Sequence, residues 1–402
     1  MEINVKENQY DLDLRDLIYI GKRVNNSKRN FLFISKLLGK HVEVKPNICK
    51  ATGRLLLSRV YDEVDYKLLC DYISRKEEAC EEKVSVEISK EIDPGKRIFV
   101  IGFAETATGL GMSVAAPLKN AYYQTTTREP LIGVKKLFSF KEEHSHATNH
   151  DFYSVDETNI NEYDEIYLVD DEITTGKSML NIIAQLSKIS SIKKFSIFSI
   201  LDWRSEENLE CYKRVEKECN VTIHVHSLIS GTVLNDDQTI YTDDLDITYL
   251  DDAEIIGDAS DAFEQVLLNT KFGERDYIRY SGRFGVCHQE ILGLEEKCRQ
   301  VAERIKVSKE SRVLVLGHGE EIYIPSRIAS YIDADVYFKT TTRSPIYCDG
   351  RVICDKTAFV NEGVTYFLYN KNEMEHDYDL VIIISESDIF KQFTENTVCL
   401  KI

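Results

Sequence analysis

Short apolar runs recur along the chain, each bounded by polar or glycine-bearing turns. In the first half they are Arg97–Gly102, Glu165–Val169, Lys194–Leu201 and Val221–Leu228; in the second they are Arg312–Gly317, Asp335–Phe338 and Asp379–Ile384. Several are continuously apolar rather than alternating, as expected of strands covered on both faces of a parallel sheet. Two are followed by stretches with helical periodicity, Leu180–Lys188 and Ser205–Cys219, the latter with a charged face. Strand and helix in alternation predict an α/β fold, a parallel sheet with helices on both faces.

The pattern repeats. Arg97-Ile-Phe-Val-Ile-Gly102-Phe-Ala-Glu105 resembles Arg312-Val-Leu-Val-Leu-Gly317-His-Gly-Glu320, and Thr125-Thr126-Thr127-Arg128-Glu129-Pro130 resembles Thr340-Thr341-Thr342-Arg343-Ser344-Pro345. Gly102 and Gly317, Arg128 and Arg343, and Asp164 and Asp379 are each 215 positions apart. Three matches at one offset and in one order predict two related α/β lobes. Between Asn235 and Asp261 aspartates crowd the chain, which reads as a solvated acidic connection with a short strand at Ile247–Leu250. No D-x-D-x-D-G pattern makes it a calcium loop. The expected divisions are 1–28, an N-terminal segment; 29–232, the first lobe; 233–270, the acidic linker; and 271–402, the second lobe.

A net charge of −18 excludes a protein that coats nucleic acid, though not a local pocket for one anionic metabolite. The ten cysteines are scattered with no CxxC pair, no signal peptide is visible, and no apolar run is long enough to span a bilayer. The expected setting is the cytoplasm, with no nucleic-acid or membrane partner.

The strongest local chemistry lies in Ile166–Ser178: an apolar strand, the acids Asp170, Asp171 and Glu172, then Ile173-Thr174-Thr175-Gly176-Lys177-Ser178 leading into a helix. Carboxylates at a strand end can accept hydrogen bonds from vicinal sugar hydroxyls. Backbone N–H groups of a turn that opens a helix can cradle a phosphate, and Gly176 permits close approach. It is not a Walker loop. The turn Gly102–Gly111, with Ala104, Glu105 and Thr106, reads by itself only as a glycine-rich strand-to-helix turn. His144, His146 and His150 with Glu142 and Glu143 read either as a polar loop or, by spacing, as a zinc site. His224 and His226 share a strand face, which fits packing. Arg275, Arg279 and Arg283 form either a basic cluster or surface arginines on a turn.

Two acids and T-T-G-x-[ST] after an apolar strand resemble the phosphoribosyl pyrophosphate (PRPP) motif of type I phosphoribosyltransferases. The resemblance implies that Asp170 and Asp171 hold the ribose hydroxyls and that Thr174 through Ser178 hold the 5′-phosphate. It also implies that Ala104–Thr106 and Arg128 lie against pyrophosphate, and that Lys135, Lys136, His144 and His146 belong to a mobile catalytic loop. Mg²⁺ is implied as cofactor, reached by Asp170 and Asp171 only indirectly, through PRPP. The whole chain resembles a narrower family, an orotate-phosphoribosyltransferase-like domain fused to a C-terminal TRSP domain and found in tellurium-resistance and stress-associated gene clusters. Its marks here are Ser35-Lys-Leu-Leu-Gly-Lys-His41, T-T-R-E-P, E-E-H-S-H, V-D-D-E-I-T-T-G, Gly317-His-Gly-Glu-Glu-Ile-Tyr-Ile-Pro325 and Thr342-Arg-Ser-Pro345. The expected activity is transfer of ribose 5-phosphate from PRPP to a nucleobase-like acceptor, with a homodimer as candidate assembly; the alternative is a PRPP- or nucleotide-sensing regulator without turnover. At the 215 offset the second lobe has Ser385 and Glu386 for the acids and Ile389-Phe390-Lys391 for Thr174-Thr175-Gly176, so it is expected to have lost PRPP binding.

Overall fold

The structure is a computed structural model that describes residues 1–26, 29–76, 80–141, 149–154, 159–235, 237–271, 273–387 and 389–402. The chain forms two compact units that interleave in sequence. The first comprises Met1–Asp16, Cys49–Asp236 and Tyr280–Ile291, the second Leu17–Ile48, Asp237–Arg279 and Leu292–Ile402.

The first unit is built on a seven-stranded sheet in the order Glu2–Glu7, Thr222–Leu234, Lys194–Asp202, Glu165–Ile173, Ile98–Gly102, Ala121–Thr125, Val286–Cys287. The five inner strands are parallel and the outer two antiparallel. Residues 98–102 and 165–169 are buried at every position, which is why they read as unbroken apolar runs. The helix Thr108–Ala115 is buried on all sides. Lys177–Ile189 instead turns Met179, Leu180, Ile182, Ile183 and Leu186 inward at helical spacing. Glu206–Cys219 starts at a Ser205–Asn208 capping box, carries Glu206 and Glu207 in its first turn, and stops at Asn220 in the left-handed region.

The second unit has a five-stranded parallel sheet in the order Glu254–Asp258, Thr397–Lys401, Leu380–Ser385, Arg312–Gly317, Asp335–Thr340. Its core includes Leu314, Leu316, Leu368, Val381 and Ile383. The acidic stretch, expected as a solvated connection, supplies this sheet's edge strand Glu254–Asp258, while Ile247 bridges Ala358 and Leu250 packs on the core. Aspartates at the strand's margins hide it from composition alone.

The 215-residue repeat extends to individual hydrogen bonds. Asp164 and Asp379 each accept the N–H of an arginine, Arg97 or Arg312, at 2.8 Å. Thr126 Oγ1 accepts from Ala104 N–H at 2.9 Å, and Thr341 Oγ1 from Gly319 N–H at 3.2 Å. In each unit the threonine run leads to an antiparallel hairpin, Lys135–Lys141 with Asn149–Ser154 and Lys356–Asn361 with Val364–Tyr369.

Candidate functional site

The first unit's sheet reverses its winding between Ile98–Gly102 and Glu165–Ile173. From the former the chain passes through Thr108–Ala115 to Ala121–Thr125; from the latter it passes through Lys177–Ile189 to Lys194–Asp202, on the opposite side. In open α/β sheets the crevice at the carboxyl ends of such a pair is where ligands collect.

Gly102 pairs with Val169, and the acid-bearing strand then continues to Ile173 against Lys194–Asp202. The continuation carries Asp170, Asp171 and Glu172, all half-exposed. Pleating turns Asp170 and Glu172 to one face and Asp171 to the other, so the carboxylates bracket the strand end. Asp170 Oδ1 accepts the Asp171 N–H at 3.0 Å. Buried Ile173 anchors the turn, Thr174 and Thr175 are half-exposed, and Gly176 caps the helix with φ +72°. A Cβ at Gly176 would meet the Tyr212 hydroxyl at 2.1 Å, so both backbone and neighbour demand glycine. Lys177 is exposed, and its N–H lies 3.4 Å from Thr175 Oγ1. With Ser178 it opens a helix of 13 residues, whose first N–H groups and dipole favour an anion.

The turn is braced from behind. Buried Tyr212 donates to the Gly176 carbonyl at 3.3 Å, and the Arg204 guanidinium lies 4.3 Å from its ring centroid. Arg204 is in turn held by Asp202, with Nη2 to Oδ2 at 2.7 Å. Burial raises the Tyr212 phenol above its ordinary range. Nothing in the apolar pattern marks these three residues; the one available signal was that Tyr212 is the aromatic position of an otherwise charged helix.

The neighbouring turn follows Gly102. Phe103 N–H donates to Val169 O at 3.3 Å, which sets the two turns side by side. Ala104 and Glu105 are buried and joined by a cis peptide bond, and Thr106 is half-buried. A Cβ on Gly111 would come within 2.8 Å of the Gly102 Cα, so strand and helix cross closer than side chains allow.

Arg128 stands beside this turn. Its Nη1 is 3.5 Å from Glu105 Oε2, and its Nε donates to His150 Nε2 at 3.3 Å. The structure thus brings Arg128 and Glu105 together with a histidine that spacing had offered as part of a polar loop or zinc site. Lys135 and Lys136 lie on a strand, Lys135–Lys141, whose register shifts between Lys136 and Phe138 and whose Phe138 stacks on Phe152 at 4.6 Å across the hairpin. Lys136 Nζ meets Asp151 Oδ2 at 2.7 Å. Burial opposes the Asp151 charge, yet bonds from Lys136, Ser139 and Tyr153 hold its carboxyl below the ordinary range. Lys135 is exposed. His144 and His146 lie outside the described residues. Among the described residues no group of three His, Cys, Asp or Glu could hold a metal. His226 packs on Phe198 with centroids 5.0 Å apart, and burial lowers it to about 4.

In the second unit the matching crevice is filled from within. Buried Glu321 accepts from Ser385 Oγ at 2.8 Å, Glu386 N–H at 3.0 Å and Ser387 Oγ at 2.9 Å. Glu386 accepts the Ile278 N–H at 2.8 Å. Arg275 bonds Ser387 and pairs with Glu362 at 2.9 Å. Arg275 is thus engaged within the second unit, to which Arg279 also belongs, whereas Arg283 belongs to the first.

A family model described as "Phosphoribosyl transferase" matches residues 17–232. The chain belongs to this phosphoribosyl transferase family. A second model, "TRSP domain C terminus to PRTase_2", matches residues 280–398. No curated protein matches the chain. Among solved structures it is similar to an adenine phosphoribosyl transferase from Trypanosoma brucei in complex with AMP, pyrophosphate and ribose-5-phosphate, at 15% identity and TM-score 0.25, covering 33% of this chain and 56% of that one. The match thus spans about half of the trypanosome chain. It is also similar to an adenine phosphoribosyltransferase from Leishmania donovani, at 14% identity and TM-score 0.27, covering 56% of this chain and 86% of that one. The phosphoribosyl transferase match contains Ala104–Thr106, Arg128 and the whole segment from Asp170 to Ser178. Among the described residues no helix is long and apolar enough to cross a membrane.

Proposed function

We propose that the first unit binds PRPP in this crevice and transfers its ribose 5-phosphate group to a nucleobase-like acceptor with release of pyrophosphate. The observation that supports it is the pairing of Gly102 with Val169, which sets two turns and an acidic strand end around one winding reversal. Asp170 and Asp171 accept the ribose 2′- and 3′-hydroxyls. Thr174 through Ser178 hold the 5′-phosphate, with Glu172 and Ile173 fixing the turn's entry. Ala104, Glu105, Thr106 and Arg128 lie on the pyrophosphate side, and Lys135 and Lys136, on the hairpin strand, belong to the segment that covers the sugar. Charge builds on the departing pyrophosphate as the ribose approaches an oxocarbenium ion, and Arg128 is placed to offset it. Two half-exposed carboxylates suit Mg²⁺ reached through PRPP oxygens and water, where the ion would supply further neutralising charge.

An orotate-phosphoribosyltransferase-like domain and a role in tellurium-associated stress belong to this proposal through the narrower resemblance; a cytoplasmic setting belongs to it through the scattered cysteines, with a homodimer as candidate assembly. Thr174 stands where enzymes for 6-oxopurines carry an acid, which disfavours that acceptor class. The test is to incubate the protein with Mg²⁺ and PRPP and a panel of nucleobases while following pyrophosphate. Release with at least one base is expected. PRPP binding without release from any base would leave a sensor instead.

A further inference from the structure

His150 has no role in the activity as set out above, yet it is fully buried and touches the site's arginine. Its partners define its state. Arg128 can only donate, so the Nε2 facing Arg128 Nε must accept. The proton then sits on Nδ1, which lies 3.4 Å from Thr126 Oγ1. His150 belongs to the hairpin strand Asn149–Ser154, which is sutured to the threonine run: Thr127 and Asp151 exchange backbone bonds of 2.9 and 2.8 Å. A buried imidazole therefore links the hairpin to the guanidinium beside the Ala104–Thr106 turn.

The second unit reproduces the arrangement with different chemistry. Tyr153 accepts from Leu131 N–H at 3.0 Å and donates to Glu129 O at 3.1 Å; Tyr369 accepts from Ile346 N–H at 2.8 Å and donates to Ser344 O at 2.6 Å. These tyrosines fix the hairpin register. Three residues before them stand His150 and Tyr366, and Arg343 Nε donates to Tyr366 OH at 3.1 Å just as Arg128 Nε donates to His150. In both units the arginine that ends the threonine run is held through Nε by the hairpin; Arg128 Nη1 faces Glu105 Oε2 at 3.5 Å, whereas Arg343 Nη2 returns to the Tyr366 hydroxyl at 2.7 Å.

We propose that His150 is a positioning residue for Arg128, holding the guanidinium at the pyrophosphate end of the crevice; this rests on the PRPP reading. His150→Asn keeps a donor for Thr126 but withdraws the acceptor from Arg128, whereas His150→Gln restores an acceptor near the Nε2 position. The probes are Mg²⁺ with PRPP and, separately, ribose 5-phosphate, which lacks the pyrophosphate. His150→Asn should weaken PRPP by about tenfold, leave ribose 5-phosphate unchanged, and add nothing to Arg128→Ala in the double variant; His150→Gln should recover most of the loss. Equal loss of both ligands would mean a general structural role and overturn the inference. So would unchanged PRPP affinity in His150→Asn, while the PRPP reading stood. Failure of the unaltered protein to bind PRPP would remove that reading and this inference with it.

Discussion

In the first unit the strand beside the crevice ends in Asp170 and Asp171 and runs through the turn at Gly176 into the helix Lys177–Ile189. In the second the matching strand ends in Ser385 and Glu386 and reaches its neighbour Thr397–Lys401 with no helix among the described residues between them. The frame is shared over four strands, with the same winding reversal, threonine run and hairpin. The polarity of the crevice is opposite. The first presents half-exposed carboxylates and a helix N-terminus. The second presents two serine hydroxyls and a backbone N–H, all donating to Glu321, so the chain supplies its own anion. A sheet and its hydrogen-bonded skeleton are thus kept where the crevice chemistry differs, because skeleton and crevice are carried by different residues.

The comparison breaks most visibly at the acids. Asp170→Asn with Asp171→Asn weakens two charge-assisted bonds worth roughly 1.5–3 kcal/mol each, so PRPP affinity should fall about a hundredfold. Ser385→Ala with Glu386→Gln should leave it unchanged, with one PRPP per chain throughout. Calorimetric titration decides; equal losses in both pairs, or two sites per chain, would end the argument. Next comes the turn. Gly176→Ala places a side chain in a left-handed conformation that costs on the order of 1–3 kcal/mol, which should appear as about tenfold weaker binding of inorganic phosphate and PRPP. Lys391→Gly, at the offset position, should create no site although it frees Asp252 from its ion pair. Arg128→Ala should then reduce PRPP affinity several-fold, whereas Arg343→Ala, whose guanidinium bonds Tyr366, should not; a side-by-side titration checks both.

The smallest effect concerns the filled crevice. Burial, with Glu386 alongside, pushes the Glu321 carboxyl up to about 7. Between the ordinary carboxylate range and about pH 7 the folded chain keeps a proton that the unfolded chain has released, so stability falls as pH rises through that window. Below both values nothing more is gained. Glu321→Gln should flatten this fall, measured as the thermal midpoint across the window. An unchanged slope would mean that Glu321 is not its source.

Much of this was legible in the chain. Unbroken apolar runs located the buried parallel strands, and the constant offset located both lobes. Two acids before a small-residue turn marked the candidate site. Other parts were hidden for definite reasons. Glu2–Glu7 and Glu254–Asp258 are edge strands, half polar, and carry no apolar run. The paired strands Lys135–Lys141 and Asn149–Ser154 were obscured by the histidines and glutamates of the surrounding sequence, though Phe138 and Phe152 set their register. Glu321, Ser385 and Arg275 meet only through tertiary structure, so their pairing could not be seen from spacing. The same holds for Tyr212 behind Gly176 and His150 beside Arg128.

The contact between Gly176 and Tyr212 also makes a prediction for genetics. The phenol occupies the volume where any side chain at 176 would begin. Alleles at the two positions are therefore not independent: a Gly176→Ala lesion should be partly suppressed by a smaller residue at 212, such as Tyr212→Leu, and by changes there more readily than elsewhere in that helix. Suppression should stop short of full recovery, because a second-site change relieves the crowding but not the handedness of the backbone. A selection for revertants of Gly176→Ala would consequently map the wall of the proposed phosphate turn without any knowledge of the acceptor.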